Sequence, residues 1–99
     1  MNDEAATDSA TPVAVPVDGT LDLHGFRPQD ANEVVIAYLE ACREKGILEV
    51  RVVHGKGRSV LARSIHSALA KHDWIERFAF ATPAFGGFGA TFVHLKKRS

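Results

Sequence analysis

Hydrophobic and polar residues follow two different periods along the chain after residue 19. Four short segments have an apolar residue at every second position or a run of β-branched residues, which is typical of β-strands. These segments are residues 21–24, 47–53, 75–81 and 91–95. Between them, residues 28–46 and 59–72 have apolar residues at spacings of three and four, which is typical of amphipathic helices. The pattern predicts the element order β-α-β-α-β-β.

This order restricts the fold. Strands separated by a helix are expected to pair in parallel through right-handed crossovers, and two helices most simply cover one face of the sheet. The short connection between the last two strands makes the final strand antiparallel. We therefore predict a two-layer α/β sandwich, in which a four-stranded mixed sheet has both helices on one face and leaves its other face open.

The first nineteen residues differ from the rest in composition. They are largely Ala, Thr, Ser, Pro and Asp in no periodic order, and such a segment buries too little apolar surface to offset its conformational entropy. We predict a disordered, acidic N-terminal tail over residues 1–19 and one folded domain over residues 20–97. A chain of 99 residues is long enough for one compact domain of this size.

Charge separates the same two parts. The formal net charge is zero, but residues 1–20 hold four acidic residues and no Lys or Arg, whereas residues 21–99 hold all 12 basic residues against 8 acidic ones. The folded part is therefore mildly basic, which is compatible with a phosphate-rich partner.

The sequence has no secretory signal and no apolar run of membrane-spanning length. Because Cys42 is the only cysteine, no intramolecular disulfide can form, and we expect a cytoplasmic protein that does not contact a membrane.

Three short loops carry the candidate chemistry. Residues 21–25 read Leu-Asp-Leu-His-Gly, residues 54–58 read His-Gly-Lys-Gly-Arg, and residues 86–91 read Gly-Gly-Phe-Gly-Ala-Thr. Ligands of open α/β sheets bind beyond the carboxyl ends of parallel strands, and each loop lies at such an end in the predicted order. The second helix follows the middle loop directly, so its free amides and positive dipole end face the same edge. The sequence predicts one anion-binding site there.

The residue types in these loops fit a phosphodiester. Cleavage of that bond requires a general base, a general acid and positive groups around the phosphorus. We assign the acid and base roles to His24 and His54, and we expect Asp22 to orient an imidazole or to hold a divalent ion. Phosphate contacts are expected from Gly55, Lys56, Gly57, Arg58, Gly86, Gly87 and Gly89. His66 and His72, in the second helix, are interpreted as polar-face or capping residues.

Taken together, the three loops resemble the signature motifs of the Smr (small MutS-related) domain family. The resemblance covers about residues 20–97 and includes the order and spacing of the elements. It implies a sandwich similar to the C-terminal domain of bacterial translation initiation factor three. It also places Asp22 and His24 on a motif linked to cleavage, and His54 with Lys56 on the second motif.

The chain departs from the family pattern at two points. Arg58 and Ser59 follow Gly57 where many members have small residues of the Gly-Thr-Gly kind, and the first helix lacks the Thr or Ser cap common in the family. Neither departure removes a catalytic candidate. The change at Arg58 is expected to alter the shape of the predicted phosphate loop.

Several members of the family nick or cleave nucleic acid, DNA in some and RNA in others. The resemblance therefore implies a nucleic-acid-binding domain that acts as an endonuclease of low sequence specificity. The alternatives are a non-catalytic nucleic-acid-binding module, connected with DNA repair, recombination or RNA processing at the ribosome, and a protein-interaction scaffold that uses the open sheet face. The sequence does not determine the oligomeric state, for which we expect a monomer.

The cofactor requirement depends on the substrate. RNA cleavage can use the 2′-hydroxyl as nucleophile and then requires no metal. DNA lacks that hydroxyl, so water must attack, and Mg²⁺ or Mn²⁺ becomes the candidate cofactor for nicking. Because the chain has neither a cysteine cluster nor a His-x-x-x-His motif, we expect no zinc site.

Overall fold

The computed structural model of the protein describes residues 16–55, 59–82, 84 and 87–98. They form β1 (Thr20–Asp22), α1 (Ala31–Glu44), β2 (Glu49–Val53), α2 (Ser59–Leu69), β3 (Ile75–Phe80) and β4 (Ala90–Leu95). Short 3₁₀ helices cover Leu23–Gly25, Pro28–Asp30 and Gly87–Gly89. The predicted element order is confirmed.

The four strands form one mixed sheet in the order β1-β2-β4-β3. β1 pairs with β2 in parallel, and β4 pairs with both of its neighbours antiparallel. The expectation that strands separated by a helix pair directly is right for β1 and β2 but wrong for β2 and β3, because β4 lies between them. β4 is the one strand of this sheet with no exposed residue, and the central position gives both of its edges hydrogen-bonding partners.

Both helices lie on one face of the sheet and contact each other. The burial of β2 alternates accordingly: Val50 and Val52 are buried, whereas Glu49 and Arg51 are not. Side chains from both layers form a single core, which includes Leu21, Leu23, Val35, Tyr38, Leu39, Cys42, Val50, Val52, Ile65, Leu69, Val93 and Leu95. The predicted two-layer sandwich is confirmed, and each aliphatic side chain buried in it contributes about 1.5–3 kcal/mol relative to exposure.

Two helices have different ends from those predicted. The residues from Pro28 onward begin as a 3₁₀ turn, and α1 itself begins at Ala31, because Arg27 offers the preceding turn no side-chain cap. α2 ends at Leu69 rather than at residue 72. The amides of Lys71 and His72 then donate to carbonyls three residues back instead of four, to Ala68 at 3.2 Å and to Leu69 at 3.3 Å.

The segment before β1 is attached to α1 through a single hydroxyl. Tyr38 Oη accepts hydrogen bonds from the backbone amides of Asp18 and Gly19, at 3.2 and 3.1 Å, and Val17 packs against the core. Residues 16–19, the end of the predicted tail, therefore contact the domain. Residues 1–15 lie outside the described residues.

Candidate functional site

The described parts of the three predicted loops lie side by side at one edge of the sheet. β1 and β2 end here, with Asp22 opposite Val53, and β4 begins here. The backbone amides of His54 and Gly55 both donate to the carbonyl of Gly89, at 3.0 and 2.8 Å. The second loop is thereby attached to the third, next to the end of the first.

The first loop is an exposed turn that its own aspartate caps. The Asp22 carboxylate accepts a hydrogen bond from the backbone amide of His24 at 2.9 Å and so begins the 3₁₀ helix Leu23–Gly25. The prediction that the strand continues to residue 24 is wrong for this reason. Leu23 anchors the turn in the core, while Asp22 and His24 are exposed. The carboxylate was expected to orient an imidazole, but the contact it makes in this turn is with the His24 backbone.

The second loop begins with a histidine that is almost completely buried. His54 is 3% exposed, and its Nε2 lies 2.9 Å from the hydroxyl oxygen of Thr91 in β4. Nε2 of His66, from α2, lies 2.8 Å from the same oxygen. Two imidazoles from different elements therefore share one threonine hydroxyl. The other ring nitrogen of His54, Nδ1, is buried without a hydrogen-bonding partner among the described residues.

Burial sets the protonation of both imidazoles. It lowers the pKa of His54, with a smaller opposing effect from the Gly55 backbone. It also lowers the pKa of His66, and the neighbouring His54 lowers it further, because two positive charges around one hydroxyl would repel each other. Both rings are therefore neutral near pH 7.

His66 is not the polar-face residue that the sequence indicated. Its ring packs against the rings of Phe78 and Phe80, with centroids 4.9 and 4.8 Å apart. Sequence reasoning also missed Thr91 as a site residue. Each left a weak signal: His66 is three residues before the buried Leu69, and Thr91 is a polar residue in register with the inward-facing Val93.

A cleft of about 380 Å³ joins the exposed and buried parts of this edge. Asp22, His24, Val53, His54 and Gly55 line it. All three residues predicted to be catalytic therefore lie at one cleft. Two of them are accessible to solvent and the third is buried.

Two glycines at this edge donate their amides to other loop residues rather than leaving them free for phosphate. Gly55 and Gly87 have φ values of +95° and +56°, a region that disfavours other residues. The Gly55 amide donates to Gly89, and the Gly87 amide donates to the carbonyl of Thr82 at 2.9 Å. These two amides were expected to bind phosphate, but they hold the loops together instead. Residues 56–58 and 86 lie outside the described residues.

Neither a cluster of metal ligands nor a membrane-spanning helix is found in the described part of the chain. It contains no group of three or more His, Cys, Asp or Glu side chains that could hold a metal ion. Nor does any helix within it have the length and apolar character needed to cross a membrane.

Comparison with known proteins shows the family of this chain. The Smr domain model matches residues 21–96. The chain belongs to the Smr domain family. The match includes the exposed turn, the buried histidine and the strand that carries the shared threonine.

Solved structures of the family have the same fold. The Smr domain of Thermus thermophilus MutS2 is 37% identical, with a TM-score of 0.74, over 80% of this chain and 99% of that one. YdaL, a stand-alone small MutS-related protein from Escherichia coli, is 27% identical, with a TM-score of 0.70, over 80% of this chain and 65% of that one.

The curated relatives are much longer proteins. Endonuclease MutS2 of Lactiplantibacillus plantarum is 40% identical over 81% of this chain but only 10% of its own length. That of Thermomicrobium roseum is 34% identical over 95% of this chain and 12% of its own length. This Smr domain therefore spans about a tenth of the length of these relatives.

Proposed function

We propose that this Smr domain binds nucleic acid and cleaves phosphodiester bonds, with low sequence specificity, at the cleft beside Asp22 and His24. The observation that supports the proposal is that one cleft is lined by an exposed carboxylate, an exposed imidazole and a buried imidazole. Relatives named as endonucleases share this part of the chain. The mildly basic charge of the folded part is compatible with a polyanionic substrate.

The reaction that these groups fit best is transesterification of RNA. One imidazole, in its neutral form, removes the proton from the 2′-hydroxyl, and the 2′-oxygen bonds to phosphorus. The bond from phosphorus to the 5′-oxygen breaks as the other imidazole, in its protonated form, donates a proton to that oxygen. His24 and His54 take these two roles. Lys56 and Arg58, which the sequence places directly after the cleft residue Gly55, would stabilise the additional negative charge on phosphorus.

Cleavage of DNA would require water as the nucleophile and would favour a metal ion. The described residues do not provide a cluster of metal ligands, and we derive no step through a metal. RNA, whose cleavage requires only the base and the acid that two imidazoles supply, is the substrate that these side chains favour.

The burial of His54 favours a second candidate function, a nucleic-acid-binding module without catalysis. At 3% exposure, its ring reaches a substrate only from within the cleft. In this alternative His54 stabilises the loop, and another protein cleaves the bound nucleic acid.

Cleavage assays distinguish the two functions. Purified protein is incubated with labelled single-stranded RNA and with supercoiled plasmid, each with and without EDTA. We expect RNA cleavage that EDTA does not prevent and that His24→Ala abolishes without loss of binding. Binding of RNA by the wild-type protein with no cleavage of either substrate would select the binding module. Absence of binding at low salt would contradict both functions and favour a protein-interaction scaffold.

Binding has its own test in the second loop. Replacing Lys56 and Arg58 together by Ala should weaken binding to all sequences alike. It should also reduce the dependence of log affinity on log salt by about 1 for each cation removed. Titration of labelled single strands at several salt concentrations measures both effects. An unchanged salt dependence would place the phosphate contacts outside the second loop.

A further inference from the structure

Phe80, the last residue of β3, differs from the aromatic residue that precedes it on the same face of the sheet. Both Phe78 and Phe80 lie against the ring of His66, with centroids 4.9 and 4.8 Å apart. Phe78 packs against the core, whereas Phe80 is 42% exposed. Among the described residues, Val60 is the other large hydrophobic residue that is exposed. β3 therefore ends in an aromatic ring that solvent can reach.

The ring of Phe80 lies beside the cleft. Phe80 is in register with Thr91, and its ring centroid lies 6.0 Å from that of His54, a residue that lines the cleft. The planes of these two rings are inclined by 80°, whereas those of Phe80 and His66 are inclined by 44°. Two imidazoles therefore support Phe80 from different directions. A ring that is already held in place loses little conformational entropy when a ligand packs on it.

The sheet order determines how far Phe80 lies from the exposed turn. β1 and β3 are the two outer strands in the order β1-β2-β4-β3, so three strand spacings of about 4.8 Å, or about 14 Å in all, separate their carboxyl ends. Successive nucleotides of a stacked strand are about 3.4 Å apart, and extension of the strand increases that spacing. A strand bound at Asp22 and His24 therefore reaches Phe80 within about four nucleotides.

A nucleobase is the chemical group that best suits an exposed ring in this position. Bases are flat and stack on aromatic side chains, and because every base has such a face, this contact is tolerant of sequence. The bases of a duplex are already stacked on each other, so a base has to be unpaired to reach Phe80. A purely structural role has a different requirement, since an aliphatic side chain of similar size would cover His54 and His66 equally well.

We propose that Phe80 is a stacking platform for one unpaired base, at most about four nucleotides from the phosphodiester bound at the cleft. The platform selects single-stranded over duplex nucleic acid and leaves the sequence unrestricted. This inference rests on the nucleic-acid binding of the proposed function but not on cleavage. It is therefore tested first with a strand that cannot undergo transesterification.

The first test is binding to a fluorescein-labelled 2′-O-methyl oligonucleotide, measured by fluorescence anisotropy. This strand has no free 2′-hydroxyl to act as the nucleophile. Phe80→Leu keeps an apolar cover over the imidazoles but removes the aromatic face, so its Kd for the single strand should rise about fivefold or more. Its Kd for a duplex of the same sequence should not change. Equal Kd values of Phe80→Leu and the wild-type protein for the single strand would overturn the inference.

Phe78→Leu is the matched control, because it removes a ring that contacts the same imidazole from the same face of the sheet. It should lower the free energy of unfolding, since Phe78 packs against the core, and it should leave the Kd for the single strand unchanged. An equal rise of Kd in both leucine variants would overturn the inference, because it would show an indirect effect through His66.

Phe80→Trp provides a second measurement if Phe80→Leu does not fold. Its tryptophan emission, beyond that of Trp74 in the wild-type protein, should be quenched as the single strand binds. An added emission that binding leaves unchanged would contradict a stacking platform at this position.

Cleavage measures where the stacked base lies. A DNA strand with a single ribonucleotide can undergo transesterification at that position only, and an abasic site is introduced at each position on either side of it. In the wild-type protein, kcat/KM should fall about fivefold or more for an abasic site at one position, no more than about four nucleotides from the ribonucleotide. In Phe80→Leu no position should have this effect.

The two proposals fail in different ways. If the wild-type protein cleaves no substrate but Phe80→Leu weakens its binding to the single strand, the cleavage function fails and the platform stands. If the wild-type protein cleaves RNA and Phe80→Leu binds the single strand equally well, the platform fails and the proposed function stands.

Discussion

The two sides of the cleft hold the same residue type in opposite surroundings. His24 lies on an exposed 3₁₀ turn that is held by the capping carboxylate of Asp22 and by the buried Leu23. His54 lies in the protein interior, and a hydroxyl that it shares with His66 restrains its ring. On the first side the backbone determines where the imidazole is and solvent surrounds it. On the second side other side chains determine its position, and burial lowers its pKa.

This difference indicates how each side affects stability. An exposed imidazole makes few contacts, so its removal should change the reaction and leave the fold intact. A buried imidazole cannot be separated from the core, because its nitrogens need partners that only the fold provides. Substitutions on the two sides should therefore differ in the ratio of lost activity to lost stability.

The largest effect is expected on the exposed side. His24→Ala should lower the rate of RNA cleavage by about 10²–10⁴, the usual contribution of a positioned acid or base. The free energy of unfolding should stay within about 0.5 kcal/mol of the wild-type value, since the side chain is exposed. Single-turnover cleavage and urea unfolding measure the two quantities.

Two matched variants sharpen this first prediction. Asp22→Asn keeps an oxygen that can accept from the His24 amide but removes the charge, so an active variant would limit Asp22 to capping the turn. His72→Ala changes a histidine that packs against Trp74, with ring centroids 5.4 Å apart, beside the start of β3 at the opposite edge of the sheet. It should keep full activity. Equal losses in His72→Ala and His24→Ala would mean that the assay reports on the fold.

On the buried side the expected effect is on stability. Thr91→Val keeps the approximate shape of the side chain but removes the hydroxyl, and the Nε2 atoms of His54 and His66 lose their common partner. The free energy of unfolding should fall by about 1–3 kcal/mol, the cost of leaving buried polar groups unsatisfied. Urea unfolding at pH 7.5 provides the measurement. Thr91→Ser should lose less, and a valine variant as stable as wild type would remove the contrast between the two sides.

The contrast also shows what the sequence could and could not predict. Local periodicity identified the six elements. The expected parallel pairing of β1 and β2 also predicted that Asp22, His24 and His54, at their carboxyl ends, lie at one edge. The pairing of β4 with β2 depends on which strand best fills the sheet centre, and no local pattern encodes that. The contact of His66 with Thr91 joins residues 25 positions apart and exists only once α2 packs on the sheet.

The end of β1 was predicted wrongly for a different reason. Alternation of Leu21 and Leu23 fits a strand through residue 24 as well as it fits a strand followed by a turn that buries Leu23. What decides between them is the hydrogen bond from the His24 amide to Asp22. Aspartate favours such caps, so its position before the turn was the available signal.

A smaller effect on the buried side is expected from acidification. Burial lowers the pKa values of His54 and His66 in the folded state, whereas a histidine in the unfolded chain has a pKa of about 6.5. Between these values the unfolded chain binds protons that the folded chain does not. Stability should therefore fall as pH decreases through about 6.5, by at most about 1.4 kcal/mol per pH unit for each histidine, and level off below the folded-state pKa values.

Urea unfolding at pH 7.5 and 5.5 measures this loss, and His66→Gln is the matched variant. It replaces one of the two buried titrating groups by a neutral side chain, so the difference between the two pH values should become smaller. A difference equal to that of the wild-type protein would show that His66 does not contribute to the acid sensitivity. A variant more sensitive than wild type would contradict the assigned direction of the pKa shift.

The smallest effect should concern the exposed side alone. Residues 1–15 carry Asp3, Glu4 and Asp8 and no Lys or Arg, and their attachment to the domain keeps these carboxylates at a high local concentration. They can compete with phosphate for the cations of the second loop, but solvated charge pairs contribute only about 0–1 kcal/mol and salt screens them.

A variant that begins at Pro16, and so keeps the contacts around Tyr38, should bind single-stranded RNA a few-fold more tightly at low salt and equally at physiological salt. Equal affinity at low salt would leave the acidic segment without a role in binding.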